Sequence, residues 1–284
     1  MAQGILRTGL LRRRVDMGLG DEIMAMGEAE ALYEATGRPV AICDQRSKPR
    51  WHEAWENNPA VSRVLGSGVD CIINCPGKRS YIQWWRHNPR RTEFILEHRA
   101  RAGKICFTIE EECRARAMAP GGVFAIIEPG TRASLRSSRN KDWGMERWAE
   151  VIRDFPVPVY QFDIGDATPL LKGVGIIDSD DFRISAAIVK FAVLVLTIDG
   201  GMHHLAASVG TDAVVVFGGF CDPKITGYDS HANFYSDIDG SPCGCYAPCP
   251  HCKEALELIT PAQVRTEALK RIGGAATCHL TQEN

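Results

Sequence analysis

Residues 194–218 read LVLTIDGGMHHLAASVGTDAVVVFG. Val193 to Ile198 is apolar apart from Thr197, as a strand covered on both faces should be. Gly200-Gly201 allows a tight turn, and His203 to Val209 then reads as a short helix. Ala213 to Phe217 is a second buried strand. Strand, turn, helix and strand in this order predict a βαβ unit and a parallel sheet. The pattern continues upstream. Val123 to Ile127, Val159 to Phe162 and Val174 to Ile177 read as strands. Met145, Trp148, Ala149, Ile152 and Phe155 recur at helical spacing, as do Ile184, Ala187, Ile188 and Phe191. The first half has the same character. A Gly18-Leu19-Gly20-Asp21 turn precedes a helix with Ala25, Ala29, Leu32 and Tyr33 on one face, ended by Gly37. Pro39–Cys43, Val69–Asn74 and Ile105–Thr108 read as strands, and Arg79–Arg101 as helical near its end. Ala119-Pro120-Gly121-Gly122 is the best linker. The expected class is α/β with two Rossmann-like parallel-sheet domains, spanning 1–120 and 121–264. A tail, 265–284, packs back on one of them.

The 284 residues suit two ordinary domains or one large one. Apolar residues make up 45% and charged residues 24%, which excludes a disordered chain. Lys plus Arg is 33 against 35 acidic residues, a net charge of −2, so no bulk positive field holds the protein on nucleic acid or an anionic membrane. No apolar run approaches the roughly 20 residues that span a bilayer. Met1 to Arg14 carries four arginines and no apolar core before a cleavage site, so it does not read as a signal peptide. A cytoplasmic protein, at most associated with the inner face of a membrane, is expected. Cys43, Cys71, Cys75, Cys106 and Cys113 read as buried thiols.

Ligands of open parallel sheets bind beyond the carboxyl ends of the strands. That selects the loops after Ile127, Phe162, Ile198 and Phe217. After Ile198 come Asp199, Gly200 and Gly201, then a helix whose first N–H groups favour a phosphate. A His in the first helical turn can add a hydrogen bond. The same features also fit a glycine turn with a capping Asp and surface histidines. After Ile127 come Glu128-Pro129-Gly130-Thr131, then Arg132, Arg136, Arg139 and Lys141. Such cations suit a diphosphate, on a polar 135–141 segment able to close over a ligand, or they form a solvated basic loop.

Asp199 to Gly218 fits D-x-G-x-x-H-L-A-A-x-x-G-T-x-x-V-x-x-F-G. Lys141-Asp142-Trp143-Gly144-Met145-Glu146-Arg147-Trp148 fits K-x-W-P-x-E-R-[FW] apart from Gly144. Met17-Gly18-Leu19-Gly20-Asp21-Glu22 is similar to an L-G-D-x-L turn, and Asn58-Pro59-Ala60-Val61 with Arg63-Val64 to an H-P-x-V-x-x-V-I stretch. In this order the motifs resemble glycosyltransferase family 9, the ADP-heptose:lipopolysaccharide heptosyltransferases. The resemblance implies a GT-B-like fold, its two domains facing a cleft. It implies inverting, metal-independent transfer of a sugar from a nucleotide diphosphate sugar, ADP-heptose by analogy, to an acceptor hydroxyl. Asp21 takes the place of the general base. Thr131, Arg139, Lys141, Gly200, Gly201 and His204 take the donor diphosphate or sugar, with Asp199 fixing the turn or touching the sugar. The acceptor is not named by the sequence, and a homo-oligomer is compatible with it. Gly200 stands where the family often has Thr or Ser, the N-terminal half is short, and Arg12-Arg13-Arg14 occupies the place of an apolar first strand. An inactive nucleotide-sugar-binding or metal-bearing module, or another GT-B enzyme such as an epimerase, fits the same residues.

Ser241 to Lys253 reads SPCGCYAPCPHCK. Four thiols this close, Cys243, Cys245, Cys249 and Cys252, suit a tetrahedral Zn or Fe. Cys243 and Cys245 are too near each other for the usual knuckle, so His251 is able to replace one ligand. A four-thiolate site has no open position, which makes such a metal structural, with no cofactor expected for catalysis. Free thiols on a loop are the alternative. In the Arg-rich stretch, Trp84 and Trp85 are expected to pack on the sheet while Arg86, Arg90 and Arg91 are solvated.

Overall fold

The computed structural model describes residues 17–83, 85–86, 88–130, 138–163, 170–179 and 181–280, with side chains as far as Gly274. Thr131, Arg132, Arg136, Trp84, His87 and the Arg12–Arg14 run lie outside the described residues.

Helix α1, Leu19–Thr36, opens at Gly18, whose N–H donates to Asp21 Oδ2 at 3.2 Å, and stops at Gly37 with φ 69°. That left-handed cap is strained for any residue with a Cβ. Ile23, Met26 and Ala29 of α1 are fully buried. They cover the first sheet, formed by β1 (Val40–Cys43), β2 (Val61–Ser62) and β3 (Asp70–Ile73) in the parallel order β2-β1-β3.

Four expectations for the first half fail. Ile105–Thr108 is not a strand. Thr108 caps α2, Ile109–Met118, accepting from Glu111 N–H at 3.2 Å while Glu111 Oε2 accepts from Thr108 N–H at 2.7 Å. Thr108-Ile109-Glu110-Glu111 is a capping box, which fixes a helix start. Among its described residues Arg79–Arg101 contains no helix. It folds back on itself, with Ile95 N–H donating to Tyr81 O and Gln83 N–H to Glu93 O, both at 2.8 Å. Trp85 is 59% exposed, against the expected packing. Cys43 and Cys75 are buried, but Cys71 and Cys113 are exposed and Cys106 is half-buried.

The second sheet contains β4 (Ala125–Glu128), β5 (Val159–Phe162), β6 (Gly175–Ile177), β7 (Leu194–Ile198), β8 (Ala213–Gly218) and β9 (Ala232–Tyr235), all parallel in the order β6-β5-β4-β7-β8-β9. Alternate residues of its strands feed two cores. Ile126, Val195, Val215 and Phe217 face α4 (Phe182–Phe191) and α5 (Gly201–Val209). Ile127, Leu196, Val214 and Val216 join Trp148 of α3 (Met145–Val151), Leu256 of α7 (Pro250–Glu257), and Val264, Ala268 and Ile272 of α8 (Pro261–Leu280). A sheet covered on both faces explains its unbroken apolar strands. α8 runs without a break through 264–265, so the tail belongs to the second sheet. A short helix, α6 (Pro223–Thr226), links β8 to β9.

The first core continues across the lobes, uniting Ile23, Val40 and Trp55 with Phe124, Ile184 and Ile188. A polar rivet accompanies it. Arg183 of α4 donates to Glu111 Oε2 at 2.9 Å, Cys106 O at 2.6 Å and Glu53 O at 2.9 Å. The Arg183 guanidinium holds the Glu111 carboxyl down at about 2.

Candidate functional site

Beyond β4 the chain moves to β5 and β6 on one side, and beyond β7 to β8 and β9 on the other. The strand order therefore reverses between β4 and β7, and the carboxyl ends of these two strands form the switch point where open parallel sheets bind ligands. Glu128 and Asp199 stand there. Glu128 Oε1 is buried with no hydrogen-bond partner among the described residues, and burial pushes its carboxyl up to about 7. Asp199, 4% exposed, pairs with Lys141, whose Nζ lies 2.7 Å from Oδ2 and 4.7 Å from the Phe220 ring centroid. The predicted lysine thus reaches the predicted glycine corner, and its charge there is balanced by Asp199.

α5 begins at Gly200. His203 turns inward to cap that start: Gly200 N–H donates to His203 Nδ1 at 3.1 Å, and His203 Nε2 donates to Thr226 O at 3.1 Å. Both ring nitrogens are therefore spent inside the protein. His204 Nδ1 meets the Tyr228 hydroxyl at 2.6 Å, and its ring lies 3.8 Å from that of His203. Burial drives the pKa of His203 down and that of His204 well down, so both imidazoles are neutral near pH 7.

The first turn of α1 docks on the first turn of α5. A Cβ on Gly20 would stand 2.3 Å from His204 Cδ2, and one on Gly201 3.3 Å from Leu19 Cβ. Two positive helix ends meet at one place. Asp21 sits at this junction. Its Oδ1 accepts from the Tyr81 hydroxyl at 2.7 Å, and Arg79 Nε lies 3.1 Å from Oδ2. Burial, then the Asp21 charge, raise the Tyr81 pKa well above its ordinary value, so the phenol stays protonated and donates. Tyr81 also stacks on Phe94, which meets Phe220 edge-on at 5.9 Å. An aromatic chain thereby joins the Asp21 side to the Lys141 side.

Arg139 is not among these contacts. It lines a cavity of about 910 Å³ with Trp143, Arg147, Cys249 and Lys253. It flanks Asn140, which is anchored elsewhere. Tyr81, Arg79, Phe220, Asn140 and the capping role of His203 were not anticipated. Tyr81, Arg79, Phe220 and Asn140 act through long-range contacts that no local spacing encodes, whereas His203 caps a residue only three positions away.

The cysteine loop brings together Cys243, Cys249, Cys252 and His251, whose ligand atoms all lie within 4.8 Å of one another. His251, not Cys245, completes the set. Cys245 instead gives its backbone N–H to Cys243 Sγ at 3.5 Å. His251 Nε2 is held by Ser241 Oγ at 3.1 Å, and Nδ1 is buried with no hydrogen-bond partner among the described residues. Cys243 and Cys252 Sγ atoms are 3.0 Å apart, longer than a disulfide of about 2.05 Å. The Cys252 thiol stabilises the Cys243 thiolate and lowers its pKa to about 5. Three sulfurs and one orphaned imidazole nitrogen, its other nitrogen fixed by a hydroxyl, fit a tetrahedral Zn or Fe.

No protein-family model matches the sequence, and no curated protein matches it. Solved structures do. A glycosyl transferase family 9 structure from Veillonella parvula superposes with a TM-score of 0.63 at 17% identity, over 90% of this chain and 95% of that one. The E. coli ADP-heptose LPS heptosyltransferase II gives 0.55 at 11% identity, over 95% and 98%. The iron-containing dodecameric glycosyltransferase TibC from enterotoxigenic E. coli gives 0.57 at 14% identity, over 90% and 74%. The two-sheet α/β fold is that of these GT-B-like glycosyltransferases. Among the described residues no helix is long and apolar enough to cross a membrane.

Proposed function

We propose that this protein is an inverting glycosyltransferase that moves a heptose from a nucleoside diphosphate heptose to an acceptor hydroxyl without a catalytic metal. The observation that carries the reading is the corner at the β4/β7 switch point. Lys141, Asp199 and the Gly200-Gly201 turn meet there and face the first turn of α1 from the other lobe. The likeness of fold to the heptosyltransferases supports it.

In this reading Asp21 accepts the proton of the acceptor hydroxyl as its oxygen attacks the anomeric carbon. The bond from that carbon to the β-phosphate oxygen breaks, and the departing diphosphate gains negative charge. Lys141 and the first N–H groups of α5 receive it. Asp199 keeps Lys141 in place, Tyr81 and Arg79 orient Asp21, and neutral His204 packs the junction. At the cysteine loop, Cys243, Cys249, Cys252 and His251 Nδ1 hold a structural Zn or Fe, which supplies a cross-link and takes no part in the transfer.

Release of ADP from ADP-heptose by purified protein, lost in Asp21→Asn, supports this reading. A second reading, a nucleotide-sugar-binding module without transfer, is favoured by the engagement of Asp21 with Tyr81 and Arg79. Binding of ADP-heptose without release, unchanged by Asp21→Asn, supports that one.

A further inference from the structure

We infer that Asn140 is a positioning residue: by gripping the cysteine loop it fixes its neighbour Lys141 at the glycine corner, and the gripped loop ties that corner to the lobe carrying Asp21. The inference rests on the assignment of Lys141 to the donor diphosphate.

Asn140 is 2% exposed. Its Nδ2 donates to Cys245 O at 2.6 Å and Ala247 O at 2.8 Å, and its Oδ1 accepts from Cys249 N–H at 2.9 Å. Both amide hydrogens and one acceptor position are thus spent on one loop more than a hundred residues away. A buried amide so satisfied resists displacement, because moving it strands three polar groups. Consecutive Cα atoms stand about 3.8 Å apart, so whatever holds Asn140 holds the root of Lys141.

The loop has a second grip on the opposite lobe. Thr92 N–H donates to Gly244 O at 2.8 Å and Tyr246 N–H to Arg90 O at 2.9 Å, and the Thr92 and Tyr246 hydroxyls meet at 3.2 Å. Gly244 has φ 59°, and a Cβ there would stand 2.2 Å from Thr92 O, so the two backbones touch. Cys243 and Cys252 share an apolar cluster with Phe94 and Phe220, against which Tyr81 packs. The loop therefore shares an apolar cluster with the aromatic that orients Asp21 and is hydrogen-bonded to Asn140, the residue that precedes Lys141.

The test is a double-mutant cycle read by ADP binding in calorimetry, with a urea midpoint for each variant. Lys141→Ala is expected to weaken ADP by about 10–100-fold, the worth of one charge-assisted hydrogen bond. Asn140→Ala should weaken it by a similar factor in the wild type, yet by less than about twofold in the Lys141→Ala background. A residue that only glues loops together would lower the urea midpoint and leave ADP affinity alone. Should Asn140→Ala not fold, Asn140→Ser is read in the same cycle. Unchanged affinity in Asn140→Ala with loss in Lys141→Ala overturns the inference and spares the donor assignment. Equal losses in both backgrounds also overturn it. Wild-type affinity in Lys141→Ala overturns the donor assignment and the inference together.

Discussion

Gly20→Ala tests whether the two lobes meet as described. Gly20 lies in the first turn of α1 with an ordinary helical backbone, so alanine there gains about 0.5–1 kcal/mol from helix propensity. The new methyl has no room. It would stand 2.3 Å from His204 Cδ2 and 2.7 Å from Nε2. Carbon atoms prefer about 3.5–4.0 Å, so the overlap exceeds one ångström. The ring has nowhere to retreat, since Tyr228 holds Nδ1 at 2.6 Å and His203 lies 3.8 Å away. Overpacking of this kind costs about 1–3 kcal/mol. Taking the middle of both ranges, the net loss is about 1 kcal/mol, and the melting temperature should fall by about 2–4 °C. Gly66→Ala is the control, because nothing lies within 4 Å of its Cβ position. Urea and thermal unfolding of both variants give the answer. A Gly20→Ala protein as stable as the wild type, or more so, would refute the α1–α5 junction.

Other expectations follow from the charges and the sulfurs. Burial of Glu128 raises its pKa to about 7, so the folded state holds a proton the unfolded chain releases near 4.5. Stability should fall as pH rises through that window, and Glu128→Gln should be more stable than wild type at pH 8 but not at pH 4. Glu111 is the opposite case. Its depressed pKa of about 2 gives stability that is present above pH 4.5 and lost towards pH 2, and Glu111→Gln should flatten that limb in acid unfolding. Elemental analysis should find about one Zn or Fe per chain, reduced in Cys249→Ser and in His251→Ala but retained in Cys245→Ser. A folded, metal-free wild type would remove the metal from the account.

The second sheet was legible because its central strands are buried on both faces and are mostly apolar, and its helices carry clear apolar stripes. Five of its six strands were anticipated. The sixth, Ala232–Tyr235, is half-exposed and lacks that signature. The first half was harder. The described residues between 74 and 108 are held by contacts to distant segments, such as Ile105 N–H on Ser208 O and Ala100 N–H on Ile225 O. Those bonds have no period. At the site, Asp199, Gly200 and Lys141 carried local signals of turn and charge. Tyr81 and Asn140 did not, because their roles arise from partners 60 and more than 100 residues away. His251 was visible as a neighbour of the thiols, while its precedence over Cys245 depends on how Ser241 turns the ring.

The proposed transfer requires a diphosphate pocket at the β4/β7 switch point. Amide hydrogen exchange with and without ADP tests it most directly. Protection confined to 139–143, 199–205 and the first turn of α1 is the expected result. ADP that binds and protects a different region, or millimolar ADP that protects none, would contradict it.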